Sequence, residues 1–500
     1  LIYQLNPEQQ ACAEAVHGNY AVIAAAGTGK TQTFVQRYLG MISTHRIAPK
    51  DILNLTFTAE AAKTMQERTG LSNAKETFRT FHSFALDLIT REKAYLPFKV
   101  GDFVLPSYGQ DFQLLKDLMK MYPAITSFRS LKEKLSEWKA LNVTPEQALQ
   151  ETYESKKNEF FYAAAYRDYE KKCREQGWLD FSSMMDEVVK LLENNEEVRN
   201  RNKKKYLAVD EFQDSDKIQL KFLELLYDGN IFCVGDPSQS VYEWRGAHPN
   251  VFQELKQKYS AKVLYLGQNY RSTPELVTFY RKILPEDNGI ASYMRSERAS
   301  GKPPVFIKYD DEFQEANHVL SQITDLNNTA IIARTNRQLR TFQSAAMRKG
   351  MKSMILGQRD LWQKDEVKHL LNLAKESGDY TRPASVVMTE LMNRHNLTHV
   401  YANAGSANEK PPVENLSDII KLATNRGTVK EFMNWLRKLT YACEAAKAPG
   451  YDGRDKNPVL TLSTVHQMKG REAKNVYVVG VNEGLMPHRD GELLEERRIW

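Results

Sequence analysis

Cysteine is scarce in this 500-residue chain: Cys12, Cys173, Cys233 and Cys443 are far apart, so no C-x-x-C zinc pair or dense disulfide framework can be drawn. Reduced thiols packed as small hydrophobes are expected instead. No apolar run approaches the roughly 20 residues of a membrane-spanning helix. The opening "LIYQLNPEQQ" lacks the basic-then-apolar layout of a secretion signal. A soluble, cytoplasmic chain without a membrane partner is the expectation. Repeats and low-complexity tracts are absent, and so is a dominant charge: 69 basic against 63 acidic residues leave +6, a faint hint of a polyanionic partner. An initiating methionine is missing, and the last residues, "ELLEERRIW", read as the polar start of a helix, so both ends are expected to be truncated.

What is present is a series of short β-rich runs bounded by turn or polar residues. They are "YAVIA" (20–24), "ILNLTF" (52–57), "YLAVDEF" (206–212), "IFCVGD" (231–236) and "KVLYL" (262–266). Runs apolar on both faces and separated by helix-periodic segments predict a parallel sheet covered on both sides. A second series, "AIIART" (330–335), "VLTLST" (459–464) and "NVYVVGV" (475–481), predicts another. Two blocks, about 91–176 and 361–457, carry helical spacing and no buried strand, and read as helical insertions. "KAPGYDGRDKNP" downstream of the second marks a flexible connection.

The stretch "YAVIAAAGTGKTQTF" (20–34) has the order of a phosphate loop: strand, tight turn, then a helix with Phe34, Val35, Tyr38, Leu39 and Ile42 on one face. Its first motif position is Ala24 where glycine is usual, which fits provided φ there is negative. Ala25, Ala26, Gly27, Thr28 and Gly29 would form the cradle, Lys30 reach the outer phosphates and Thr31 hold Mg²⁺. "YLAVDEFQDSD" supplies the second half, delivering Asp210 and Glu211 at the carboxyl end of a strand. Asp210 suits the magnesium and Glu211 the orientation and deprotonation of water.

The motifs in order resemble a superfamily 1A DNA helicase of the UvrD, Rep and PcrA type. "LNPEQQACAEAV" is similar to that family's Q motif, "AAAGTGKT" to motif I, where alanine commonly comes first, and "TFTAEAAKTM" and "RTFHSFA" to motifs Ia and Ib. "VDEFQDSDKIQ" resembles motif II, "VGDPSQSVYEWRGA" motif III, "QNYRSTPEL" motif IV, "ARTNRQL" motif IVa and "TLSTVHQMKGREAKNV" motif V. The resemblance implies two RecA-like parallel-sheet P-loop NTPase domains of α/β class, each with a mainly helical insertion. By motif order the first spans 1–90 and 177–272 with insertion 91–176. The second spans 273–360 and 458–500 with a short insertion, 361–457.

It implies ATP and Mg²⁺ as cofactors, with ATP in the cleft between the domains and single-stranded DNA, or a single-strand/duplex junction, as the partner of a monomer or weak dimer. Gln9 would read the adenine edge, Tyr270 stack on the base, Gln239 sense the γ phosphate and Glu472 meet the ribose. Arg271 would place a fixed charge on the γ phosphate, across a cleft from Lys30. Phe57, Tyr242 and Trp244 would stack on bases, and Thr58, Thr80, His82, Arg245, Thr464 and His466 would position phosphates. The implied movement is 3′ to 5′ with duplex opening.

Three features depart from the family pattern. Gln32 stands where arginine usually follows "GKT", the second insertion is short, and the chain stops before motif VI, whose absence predicts weak hydrolysis. A non-unwinding translocase, a nucleotide-gated binding module and the motor part of a helicase-nuclease are the alternative readings.

Overall fold

A computed structural model describes residues 4–486 apart from 97–107, 126–127, 142, 156, 180, 242–246, 249, 285–288, 357–360, 402–411, 425 and 448–457. The chain divides into two compact units, Leu1–Val305 and Phe306–Trp500.

The first unit is built on a parallel sheet of order β3-β2-β4-β5-β1-β6. Its strands are β1 (Asn19–Ala24), β2 (Ile52–Thr56), β3 (Phe78–Thr80), β4 (Lys204–Val209), β5 (Tyr227–Gly235) and β6 (Lys262–Leu266). Strand periodicity explains why these runs are apolar throughout. Ala21 and Ile23 of β1, Leu207 and Val209 of β4, and Ile231 and Cys233 of β5 join one core. Val22, Ala24, Ala208, Phe232 and Val234, one position out of step, join the other.

Helix α1 (Pro7–Glu14) precedes β1, and α2 (Lys30–Ser43) follows it, burying Phe34, Val35, Tyr38 and Met41 in the second core. Helix α3 (Ala59–Thr69) follows β2 and α4 (Phe81–Glu92) follows β3. The four helices α5 (Tyr108–Met121), α6 (Phe128–Ala140), α7 (Pro145–Ser155) and α8 (Lys157–Glu175) enclose a small core of their own around Leu118, Leu131, Trp138, Tyr166 and Tyr169. The chain then returns through α9 (Phe181–Asn194), α10 (Glu196–Asn202) and, after β4, α11 (Lys217–Leu226). Met184, Val188 and Leu192 pack with Phe84, Leu88 and Phe222 under the sheet.

Beyond β6, a two-stranded ribbon pairs β7 (Gln268–Asn269) with β8 (Arg295–Ser296). Val277, Ile290 and Met294 around this ribbon belong to the first unit's core. The compact unit therefore runs to Val305, whereas the motif order divided the chain at 272/273.

The second unit has a parallel sheet, β10-β11-β9-β12, made of β9 (Thr329–Ala333), β10 (Ser353–Ile355), β11 (Leu460–Thr464) and β12 (Asn475–Val478). Helices α12 (Glu312–Gln322) and α13 (Asn336–Arg348) cover it through Leu320, Leu339 and Phe342. Four further helices, α14 (Asp365–Glu376), α15 (Ala384–Arg394), α16 (Pro412–Ala423) and α17 (Val429–Lys447), form a separate helical core with Trp362, Leu370, Ile419 and Phe432. The expected α/β architecture, with two parallel sheets and helical blocks, is what the chain adopts. Among the described residues no helix is long and apolar enough to cross a membrane, and Cys12, Cys173 and Cys233 are buried free thiols.

Candidate nucleotide site and nucleic-acid interface

Strands β4, β5 and β1 are neighbours, so the segments leaving their carboxyl ends converge. From β1 comes the loop 25–29. Ala24 is buried at the strand end and lies outside the left-handed region; positive φ falls instead on Gly27 (72°) and Gly29 (80°), which caps α2. Every loop carbonyl is claimed by a neighbour. Thr28 Oγ1 donates to the Ala25 carbonyl (2.7 Å), Asn269 Nδ2 to Ala26 (2.8 Å), the Tyr270 N–H to Gly27 (2.8 Å) and Gln9 Nε2 to Thr28 (3.0 Å). The amides opening α2 have no partner within the helix, which leaves a ready anion site beside Lys30 and Thr31.

Strand β4 delivers Asp210, whose N–H still donates to the Leu55 carbonyl, and then Glu211, with φ of 52°. That left-handed turn swings the second carboxylate away from the strand direction. Lys30 Nζ lies 3.9 Å from Glu211 Oε2. Burial works against the Lys30 ammonium, but Glu211, Asp236 and Asp210 outweigh it and hold its pKa above the usual lysine value. Burial, then the neighbouring Glu211, pushes the Asp210 carboxyl up to about 7, against the pull of Lys30.

Asp210 Oδ1 is buried without a hydrogen-bond partner. An orphaned carboxylate oxygen crowded by like charge fits a divalent cation. Among the described residues no three His, Cys, Asp or Glu side chains gather around a metal position.

From β5 comes Asp236, buried, with its carboxyl raised by burial against Lys30 and Gln239. Gln239 Nε2 donates to Asp236 Oδ2 at 2.7 Å. Buried Gln213 joins the two acidic turns: Nε2 donates to Glu211 Oε2 (2.6 Å), and Oε1 accepts the Asp236 N–H (3.0 Å).

The other rim of the loop is formed by α1 and the ribbon turn. Asn6 and Gln9 make a capping box at the start of α1, and Asn6 Nδ2 donates to the Tyr270 hydroxyl at 2.7 Å. Asn269 Oδ1 accepts the N–H groups of Arg271 (2.8 Å) and Ser272 (2.7 Å). Tyr270 keeps about half its surface exposed. Arg271 therefore belongs to the same unit as Lys30 and touches the phosphate loop's own flank: a Cβ on Gly27 would come within 2.7 Å of Arg271 Cβ. In the segment that follows, Val277, Ile290 and Met294 pack on the first core.

Next to β4 in the sheet is β2 and beyond it β3, where Thr56 pairs with Thr80. Phe57–Thr58 and the start of α4 thus leave the sheet side by side. Thr58 caps α3 by accepting the Ala61 N–H (3.1 Å), and Thr80 caps α4 through Ser83 (3.0 Å), so both hydroxyls already serve a helix. The Phe57 ring lies 5.5 Å from that of Phe81 and is half-buried on the core. Burial holds the His82 imidazole below its usual pKa, making it a neutral hydrogen-bonding group at pH 7.

Tyr242, Trp244 and Arg245 lie outside the described residues. Thr464, His466 and Glu472 belong to the second unit. Thr464 ends β11 and caps the short helix Val465–Met468, which carries His466, and Glu472 is exposed in the following loop.

Asn6, Gln213, Asp236 and Asn269 were not singled out from sequence. "NPEQ" carries a capping-box signature that marks Asn6; the other three sit inside "DEFQDSD", "VGDPSQS" and "QNYRS" and carry no local signal of their own.

A parallel sheet whose carboxyl edge holds a Gly-hinged loop, a mostly buried lysine and an acidic pair defines a P-loop nucleotide-binding protein. The sequence matches the UvrD/REP helicase N-terminal domain over residues 5–260 and the UvrD-like helicase C-terminal domain over 264–377. The chain belongs to the UvrD/Rep/PcrA-type superfamily 1A helicases. It is 27% identical to the ATP-dependent DNA helicase Rep of Escherichia coli (strain K12), covering 99% of this chain and 88% of that protein. It is 24% identical to the ATP-dependent DNA helicase PcrA of Bacillus subtilis (strain 168), covering 100% and 81%. To a probable DNA helicase II homolog of Rickettsia conorii it is 30% identical over 74% of this chain and 60% of the relative.

Proposed function

We propose that this chain is an ATP-dependent DNA helicase that moves 3′ to 5′ on single-stranded DNA and opens duplex as it goes. The observation that carries the reading is the convergence of Lys30, Asp210, Glu211 and the Asp236–Gln239 turn on one edge of the first sheet, with the Tyr270–Arg271 turn hydrogen-bonded to the phosphate loop.

ATP would lie with its phosphates on the loop 25–29 and its base between Gln9 and Tyr270. Lys30 neutralises the outer phosphates and Arg271 adds a fixed charge beside them. Magnesium held by Thr31 and Asp210 would supply charge neutralisation at the phosphates. Glu211 accepts a proton from the attacking water, its position fixed by Gln213. Gln239 reports the outer phosphate to the following segment, which leads toward Tyr242, Trp244 and Arg245.

The DNA strand would run over the edge formed by Phe57, Thr58, Thr80 and His82 of the first unit; in the second unit, Thr464 and His466 are the residues offered for phosphate contacts. Stacking on rings and hydrogen bonds to phosphate read no sequence, which suits a motor that must traverse any strand.

The test is hydrolysis of ATP with and without single-stranded DNA, with duplex opening on substrates tailed at the 3′ or 5′ end. Stimulation by the single strand and opening confined to 3′-tailed duplex are expected, and Glu211→Gln should abolish turnover while ATP still binds. Equal opening from 5′ tails, or turnover unaffected by Glu211→Gln, would overturn the reading.

A further inference from the structure

Arg37 is a buried cation that none of the chemistry above uses. It sits two turns along α2 from Lys30 with almost no exposed surface, and among the described residues no carboxylate pairs with it. Burial lowers its guanidinium to about 10. Its partners are neutral: Nε donates to the Ala15 carbonyl at 2.9 Å, Nη2 to the Val16 carbonyl at 3.2 Å, Nη1 meets Met41 Sδ at 3.3 Å, and the guanidinium lies 4.4 Å from the centre of the Phe232 ring.

Ala15 is the residue that ends α1. A helix end gathers unsatisfied carbonyls and partial negative charge, so it is one of the few neutral groups that can accommodate a buried arginine. The planar fork, with two donors on successive carbonyls and a face on Phe232, fixes the end of α1 against the side of α2. At the other end, α1 is fixed to the same loop-helix unit by Gln9 on the Thr28 carbonyl, and to the ribbon turn by Glu8, which accepts the Gly267 N–H at 2.9 Å, and Asn6 on Tyr270.

We infer that Arg37 is a positioning residue for base recognition: by clamping the end of α1 to the helix that carries Lys30, it sets where Gln9 and the Asn6–Tyr270 pair stand relative to the phosphate cradle. This rests on the reading of the site as an ATP site. It predicts a division of labour within α2, whose first turn serves the phosphates while Arg37 serves the base through α1.

The experiment compares the full chain with Arg37→Met, Arg37→Lys, Gln9→Ala and the Gln9→Ala/Arg37→Met double variant. Hydrolysis of ATP and GTP and competition by inorganic tripolyphosphate are measured. Loss of one well-made contact to the base corresponds to about tenfold, so Arg37→Met should raise KM for ATP by about that factor with kcat within about twofold, erasing preference over GTP. Tripolyphosphate competition should be unchanged. Arg37→Lys should recover part of the preference, and Arg37→Met should add little once Gln9 is gone.

Parallel losses for ATP, GTP and tripolyphosphate, a preserved preference, or additive effects of Gln9→Ala and Arg37→Met would overturn the inference. If Arg37→Met does not fold, Arg37→Lys gives the same readouts with the charge in place. A wild-type chain that binds no nucleotide sinks the ATP reading itself, whereas a wild-type adenine preference that survives in the Arg37 variants sinks this inference alone.

Discussion

Gln213 donates to Glu211 Oε2 at 2.6 Å and accepts the Asp236 backbone N–H at 3.0 Å through the other end of the same amide. One buried side chain thus ties the proposed general base to the turn that carries Gln239. Glu211 sits in a left-handed backbone position, and the Gln213 amide two residues further on is one of the groups that orient its carboxylate. Gln213→Ala should lower kcat for ATP hydrolysis by about 10²-fold with KM nearly unchanged, the usual consequence of a misplaced reacting group. Steady-state kinetics decide the point, and an effect mainly on KM would contradict it.

Two glycines, one in the phosphate loop and one near the end of α2, should respond differently. Gly27 has φ of 72°, and an added Cβ would come within 2.7 Å of Arg271 Cβ. Gly27→Ala is therefore expected to weaken nucleotide binding by about tenfold or more, since a strained backbone position alone costs about 1 to 3 kcal/mol. Gly40, in the same helix as Lys30, has open space around its Cβ position. Gly40→Ala should stabilise the first unit by about 0.5 to 1 kcal/mol and leave nucleotide affinity alone. Titration calorimetry and urea unfolding measure the two effects.

Glu92 closes α4 and is bound by Arg201 at the end of α10, with Nε to Oε1 at 3.0 Å and a second bond from Nη2, and by Asn202 Nδ2 at 2.9 Å. The Arg201 bonds hold its carboxyl below the usual glutamate value, burial opposes them and Asn202 adds to them. A depressed carboxylate contributes stability that is complete above the unfolded value of about 4.5 and is lost as pH falls through the folded value. Glu92→Gln should cost about 1 to 2 kcal/mol at pH 7, the lower range for charge-assisted bonds because Arg201 is partly solvated. The gap to wild type should close as pH falls below that unfolded value and through the lower folded one, read from urea midpoints; a constant gap would show that the charge is not the cause.

Lys139 of α6 is buried, with its ammonium 2.6 Å from Glu170 of α8 and 2.7 Å from Ser183 Oγ of α9. The contact fastens the helical insertion to the flank of the first sheet. Lys139→Met leaves Glu170 with the Ser183 hydroxyl (3.2 Å) but without its cation and should destabilise by about 3 kcal/mol, the low end for a broken buried pair, whereas Lys139→Met/Glu170→Leu should lose much less, because removing both charges removes the desolvation cost as well. Denaturation of the single and double variants separates these outcomes.

The parallel sheets were legible because a strand covered on both faces must be apolar at every position, and the runs at 20–24, 206–209 and 231–235 are. Strands β3, β7, β8 and β10 escaped, since two or three residues are too few to display a period. Val277, Ile290 and Met294 look like any apolar residues in the sequence, and their place in the first core is visible only in the fold.

Sequence by itself determined the phosphate loop, the acidic pair and the family, because a phosphate cradle needs consecutive backbone amides and a strand end needs adjacent residues, so that chemistry is written in contiguous letters. Only the tertiary structure decided what holds those letters in register. Asn6 meets Tyr270 across 264 positions, and Asn269 meets Ala26 across 243. It also showed that Thr58 and Thr80 cap helices, and that Arg37, an ordinary helix residue in the sequence, grips the end of α1. A hydrogen bond depends on distance in space, and folding alone brings positions so far apart in sequence within 3 Å.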